Sequence, residues 1–220
     1  MDILEVMKQR HSVRQYEDRA IEPEKRHVLN DWIAAINADT GLHIQILYDE
    51  PECFDSMMAH YGKFKGVKNY VSLVGAKSGT LEETLGYYGE KIVLKAQELG
   101  LNTCWVAMTH GKSRAEIRKG EKETCLISIG YGSTNGVAHK SKPLNRLCNY
   151  QKDMPAWFLS GMEAALLAPT AMNQQKFYFE LQPDETVRAT CGRGFYTRLD
   201  FGIVKYHFEM VANRKIQTVN

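Results

Sequence analysis

The sequence predicts an α+β protein, and three observations carry that prediction. Apolar residues recur at helical spacing in several long segments, with short β-branched runs between them. Turn-forming residues mark the changeovers: Pro23 and Pro155 open helical segments, and Gly41, Gly100 and Gly130 close helices or strands. The 220 residues are 44% hydrophobic and 25% charged, the balance of an ordinary globular protein with room for one or two cores.

The first helix is built on Ile3, Leu4, Val6 and Met7, with Asp2 as its N-cap. Tyr16 to Glu22 is a polar loop. A second helix starts at Pro23, turns Val28, Leu29, Trp32, Ile33 and Ile36 inward, and ends before Gly41. His43 to Tyr48 alternates and reads as a strand. Pro51 to Lys63 reads as a helix with Phe54, Met57, Met58 and Tyr61 as its apolar positions. Asn69 to Gly75 is a buried strand and Thr80 to Leu99 the longest helix. Thr103 to Met108 is a short strand, Arg114 to Lys119 a short helix or turn, and Thr124 to Ile129 another strand. The polar stretch from Ser133 to Asp153 holds Gly136, Pro143 and several lysines, and reads as a linker. After Pro155 a helix runs to Leu167 on Trp157, Phe158, Met162, Ala165 and Leu166. Phe177 to Leu181 is a strand, Arg188 to Arg198 is irregular, and Asp200 to Asn213 is a closing helix on Ile203, Val204, Phe208 and Val211.

Two stretches rhyme. Trp32 to Glu52 runs helix, turn, strand, then Asp49-Glu50-Pro51-Glu52. Glu163 to Glu185 runs helix, turn, strand, then Gln182-Pro183-Asp184-Glu185. The rhyme divides the chain into a first half, residues 1–150, and a shorter second half, residues 151–220.

The net charge of +2 argues neither for nor against a nucleic-acid partner, but no basic stripe with interleaved aromatics marks a nucleic-acid surface, so none is expected. No apolar run reaches the roughly 18 residues that span a bilayer. Asp2 and Glu5 are unlike the start of a secretory leader. The cysteines, Cys53, Cys104, Cys125, Cys148 and Cys191, form no Cys-x-x-Cys pair and read as reduced thiols of a cytoplasmic protein. The histidines show no metal-ligand spacing.

Chemistry concentrates in two places. Arg10-His11-Ser12-Val13-Arg14 sets two guanidinium forks around a hydroxyl, a donor set suited to a small dianion. Alone, it reads as a solvated basic helix end. Far down the chain stands Ala168-Pro169-Thr170-Ala171-Met172-Asn173-Gln174-Gln175, rich in amides and stiffened by a proline.

Together these stretches resemble the nitroreductase family. Arg10-His11-Ser12-x-Arg14 is similar to that family's FMN phosphate signature. Ala168-Pro169-Thr170-x-x-Asn173-x-Gln175 is similar to its second signature, which ordinarily follows the first much more closely. Gly89 to Trp105, with Leu94, Ala96, Gly100, Leu101 and Trp105, resembles the run whose turn meets the edge of the isoalloxazine. Ile127 to Gly132 resembles the strand that follows. Lys140-Ser141-Lys142-Pro143-Leu144 resembles a basic segment that adds phosphate contacts.

The resemblance implies an FMN-dependent nitroreductase-like fold of two related α/β halves, each a mostly antiparallel sheet flanked by helices. It implies FMN held by Arg10, His11, Ser12, Arg14, Asn102, Thr103, Lys140, Lys142, Pro169, Thr170, Ala171, Asn173 and Gln175. It further implies NAD(P)H as reductant, and hydride relay through flavin N5 to a nitro-aromatic, quinone or related small acceptor. No catalytic side chain and no metal are expected, because the flavin carries the chemistry. Family members are homodimers with flavin at the subunit interface. Here the first half has the arginines but Ala38-Asp39-Thr40-Gly41 where the second signature belongs. The second half has Pro169 to Gln175 but no Arg-x-Ser-x-Arg before Pro155. The expectation is a single-chain pseudo-dimer with one intact site, monomeric or weakly dimeric in solution.

The chain departs from the pattern in two places. Lys176 stands where a proline is usual, and Asn102 replaces a glycine, the next best residue if that turn needs φ above zero. Competing readings are an FMN-binding storage or sensing protein, a specialist acting on flavin or one metabolite, and a flavin-free interaction domain. Gly130-x-Gly132-x-x-x-Gly136 is close to a dinucleotide fingerprint, but its third glycine comes one residue late and no helix follows. Cys104 reads either as redox-active or as a buried inert thiol.

Overall fold

The computed structural model describes residues 2–218. In chain order the elements are α1 (Ile3–Gln9), α2 (Pro23–Thr40), β1 (Gln45–Leu47), α3 (Met57–Tyr61), β2 (Tyr70–Ala76), α4 (Leu81–Glu98) and β3 (Asn102–Val106). They continue with β4 (Glu121–Gly130), α5 (Ala156–Leu167), β5 (Phe177–Leu181), β6 (Val187–Cys191), α6 (Thr197–Ala212) and β7 (Ile216–Thr218). They form two compact units, each discontinuous in sequence. One holds Gln9–Leu81 and Lys91–Ala138; the other holds the chain up to Lys8, Glu82–Glu90 and the chain from His139 onward. Among the described residues no helix is long and apolar enough to cross a membrane.

The first unit is organised by a four-stranded sheet in the order β1-β2-β4-β3, antiparallel throughout. Continuous apolar runs in β2 and β4 are buried on both faces, which is why neither alternates. Pro23 sits at the first turn of α2, where no backbone N–H is needed, and Gly41 closes the helix at φ 70. Val13, Tyr16, Phe54, Phe64, Tyr70 and Leu126 share one core cluster, with Phe54 and Phe64 edge to face at 5.2 Å.

The second unit packs α5 and α6 with a three-stranded sheet, β5-β6 antiparallel and β6-β7 parallel. Phe208 anchors its core, 5.7 Å from Phe158 and 4.9 Å from Phe179. Two glycines set its helix crossing. A Cβ on Gly86 would lie 2.0 Å from the Leu199 carbonyl oxygen, and one on Gly202 would lie 2.0 Å from that of Glu83. The backbones of α6 and the first half of α4 therefore touch where only glycine fits. His207 and Glu90, both fully buried, pair at 2.9 Å in this unit.

Four segments differ from expectation. Pro51–Lys63 is a 3-10 turn at Glu52–Phe54 followed by α3, because Ser56 caps a new helix by accepting from the Ala59 N–H. The restart shifts the helical phase. Ala59 turns inward while Met57, Met58 and Tyr61 are 84%, 45% and 80% exposed. Residues 114–118 form no helix, and the turn falls at Lys119–Gly120, where the Glu121 N–H donates to the Arg118 carbonyl. The expected linker is partly packed: Leu147 and Cys148 are buried, and the Leu147 carbonyl accepts from the Phe179 N–H at 2.9 Å. Asn149 adds two hydrogen bonds to the backbone of Leu181. Finally, Val187–Cys191 is a strand where irregular chain was expected. Val187 and Ala189 are its only fully buried positions, too few to announce a strand between charged and polar neighbours.

Candidate functional site

In the first unit the chain leaves α1 and runs extended through Arg10–Arg14. Ser12 forms a parallel bridge with Thr103, and the Val13 N–H donates to the Thr103 carbonyl at 3.0 Å. Arg10, His11, Ser12 and Arg14 are thereby brought beside Asn102 and Thr103 at the start of β3. Val13 is buried in the core and anchors the segment, while Arg10 is 3% exposed and Arg14 is open to solvent.

Asn102 does not take the role expected of a glycine substitute. It lies within β3, and the positive φ of this connection falls on Gly100, at 74°. The Asn102 side chain instead accepts from the Gly132 N–H at 2.9 Å, tying the turn after β4 to the start of β3. Glycines of the near-fingerprint pack around that segment. A Cβ on Gly136 would meet His11 Cβ at 2.8 Å, and one on Gly132 would meet Val13 Cγ1 at 2.7 Å. Close packing explains these glycines without a dinucleotide. Cys104 is buried, and burial raises its thiol pKa, while Arg14, a Ser12 hydrogen bond and Arg10 pull the other way. The balance favours the protonated, inert thiol.

In the second unit Pro169, Thr170, Ala171, Asn173 and Gln175 lie in one tight loop with Lys140 and Lys142. Met172, Asn173 and Gln175 hold positive φ of 51°, 54° and 44°. Thr170 Oγ accepts from the Gln175 N–H at 3.1 Å. The Gln175 amide, 3% exposed, accepts from the Lys142 N–H and donates to the Lys140 carbonyl and to Asn173 Oδ1. Asn173 also donates to the Lys140 carbonyl, at 2.9 Å. The two lysines differ in what holds their ammonium groups. The Lys142 ammonium is taken up by the carbonyls of Gln174 and Gln175, at 2.7 and 3.0 Å. The Lys140 side chain is exposed and makes no ion pair among the described residues.

Asp200, near the start of α6, is the residue that sequence reasoning missed. Its carboxylate accepts from the Ala171 N–H at 2.9 Å and from the Gln174 amide at 2.7 Å. It is 6% exposed, and burial pushes its pKa up to about 6 against those two hydrogen bonds. Its one sequence signal is a carboxylate set between Leu199 and Phe201 on an apolar helix face.

The donors fit a flavin mononucleotide unit by unit. Guanidinium forks and a hydroxyl suit a phosphate dianion, and the exposed Asn173 amide suits a ring edge that both donates and accepts.

Residues 2–212 match the family described as putative TM nitroreductase. Among solved structures the chain is similar to a putative nitroreductase from Thermotoga maritima, at 21% identity, TM-score 0.70, covering 98% of this chain and 87% of that one. It is similar to a putative nitroreductase from Desulfovibrio desulfuricans solved in complex with FMN, at 17% identity, TM-score 0.53, covering 70% and 99%. It is also similar to a putative NADH dehydrogenase/NAD(P)H nitroreductase from Bacteroides thetaiotaomicron, at 19% identity, TM-score 0.52, covering 66% and 95%. No curated protein matches the sequence. The structural likeness shows a shared fold of helices with antiparallel sheet.

Proposed function

Because the chain belongs to the nitroreductase family, a family of oxidoreductases, we propose that it binds FMN and uses NAD(P)H to reduce a small acceptor such as a nitro-aromatic or quinone. The observation that carries this reading is the pairing of Ser12 and Val13 with Thr103, which fixes the register of the Arg10–Arg14 segment against β3.

When bound, FMN supplies two-electron transfer between a nicotinamide and an acceptor. The chain's own groups bind and orient. Arg10 and Arg14 offer forks to the phosphate, and Ser12 adds a hydroxyl donor. Lys140, rather than Lys142, is the lysine whose ammonium remains for an anion. Asn173 spends one amide hydrogen on the Lys140 carbonyl and keeps the other for the ring's polar edge. Cys104 stays protonated and stands aside from the chemistry. A protein that turns yellow with added FMN, retains it on gel filtration and loses it when Arg14 is replaced by alanine supports this reading. A colourless protein after FMN addition contradicts it.

A further inference from the structure

The Arg14 segment borders a second feature of its unit. The Lys65 N–H donates to the Arg14 carbonyl and the Tyr16 N–H to the Lys65 carbonyl, both at 3.0 Å. Gly66, at φ +71, sits where a Cβ would lie 2.5 Å from the Tyr16 carbonyl oxygen. The loop through Lys63–Lys68 is therefore held against Arg14–Tyr16 at a fixed register. It buries Phe64 and Val67 and leaves Lys63, Lys65 and Lys68 exposed. With Pro51, Phe54 and His60 it walls a cleft of about 650 Å³. That size suits a drug-sized ligand, for which pockets span roughly 300–1,000 Å³.

The charges of the cleft are unevenly matched. Lys68 pairs with Asp18 at 2.5 Å, and His60 stands 3.3 Å from Asp55. Lys63 and Lys65 make no ion pair among the described residues. Asp55 also lines the cleft and stands against His60, so Lys63 and Lys65 are left without a carboxylate partner of their own; like charges so placed repel each other, and an entering anion relieves that repulsion. The apolar floor of Phe54, Phe64 and Val67 asks for a flat organic group beside the anion.

We propose that this cleft binds a phosphorylated adenosine, the non-reacting end of the nicotinamide dinucleotide, with its phosphates toward Lys63 and Lys65. Naming that source rests on the reading of the chain as a nicotinamide-dependent flavoprotein; the cleft's preference for an aromatic phosphate does not.

The test is calorimetric titration of the FMN-supplemented protein with 2′,5′-ADP, adenosine and inorganic pyrophosphate, with flavin retention read from the visible spectrum of the same samples. The expected order places 2′,5′-ADP about tenfold or more tighter than adenosine or pyrophosphate, with affinity falling as salt rises. Lys65→Ala should weaken 2′,5′-ADP about tenfold and leave flavin content unchanged. Lys63→Asn, chosen because asparagine tolerates the φ of 63° at that position, should do the same. In turnover, both variants should raise KM for NADPH with kcat unchanged. Equal affinity in the variants and the parent protein overturns the cleft, as does pyrophosphate binding as tightly as 2′,5′-ADP. Charge-dependent 2′,5′-ADP binding by a protein that retains no flavin supports the cleft and overturns the flavoprotein reading instead.

Discussion

Arg10–Arg14 takes its shape from backbone pairing, whereas Thr170–Gln175 takes its shape from side chains distant in sequence. The first segment is extended, an ordinary conformation for any residue, and its bridge to Thr103 sets its register. The second holds three non-glycine residues at positive φ, a conformation that costs on the order of 1 kcal/mol for each. Asp200, Thr170 and Lys142 offset that cost through hydrogen bonds to the loop's backbone and amides. A strand-borne set of donors should tolerate changes around it, while a loop held by a few side chains should fail when one is removed.

The largest expected effect sharpens this contrast at the strand. Arg10→Ala or Arg14→Ala should weaken FMN by roughly 2 kcal/mol or more, about 30-fold, through lost charge-assisted hydrogen bonds. Riboflavin, without a phosphate, should bind the variants and the parent protein alike. Equal losses for both ligands in flavin-fluorescence titrations would remove the phosphate assignment.

The loop should behave in the opposite way. Asp200→Ala leaves the Ala171 N–H and the Gln174 amide without their acceptor, and should cost about 1–2 kcal/mol in chemical denaturation. FMN and riboflavin should weaken together, because the loop is assigned to the ring and not to the phosphate. A selective loss of FMN would put the loop at the phosphate instead.

A pH effect follows from the same carboxylate. Burial raises its pKa from 3.8 to about 6, so between those values the folded state binds a proton that the unfolded state has lost. Asp200's contribution is therefore greatest below about pH 4, declines as pH rises through about 6, and is constant above. Denaturation curves across that range should show the decline in the parent protein and not in Asp200→Asn. An identical pH profile in the two would show that the carboxylate does not titrate there.

The smallest effect isolates backbone strain. Met172 is fully exposed at φ 51, so Met172→Gly removes no packing. Relief of the left-handed conformation and the added flexibility of the unfolded chain nearly cancel, giving a change within about 0.5 kcal/mol. Destabilisation well beyond that would mean the methionine makes contacts the fold does not show.

How much of this was legible in sequence follows from the same contrast. Arg10, Ser12 and Arg14 are two residues apart, so a contiguous motif displays them once the distant Ala168–Gln175 stretch is set beside it, and helical periodicity locates α2, α4, α5 and α6. Thr170–Gln175 was legible as a motif but not as a shape. The groups that bend it, Asp200 and Lys142, lie some 25 to 35 positions from their partners, where no local pattern connects them. The exposure of Met57 and Tyr61 was hidden for a different reason. One serine cap resets the helical phase, and a periodicity read through Ser56 assigns the wrong face. In the turn before β3 the left-handed residue is Gly100 and not Asn102, whose side-chain oxygen serves the neighbouring turn, a role its place in the motif does not display.

The most direct test of FMN-dependent reduction by this chain is the visible spectrum of the FMN-supplemented protein under anaerobic addition of NADH or NADPH, with flavin and chain counted in the same sample and mass followed by sedimentation. The expected result is one FMN per chain at a concentration where the chain sediments as a monomer, rapid bleaching of the flavin band, and return of colour on adding a quinone. A bound flavin that neither nicotinamide bleaches, or a chain that stays colourless with FMN, would contradict the proposal.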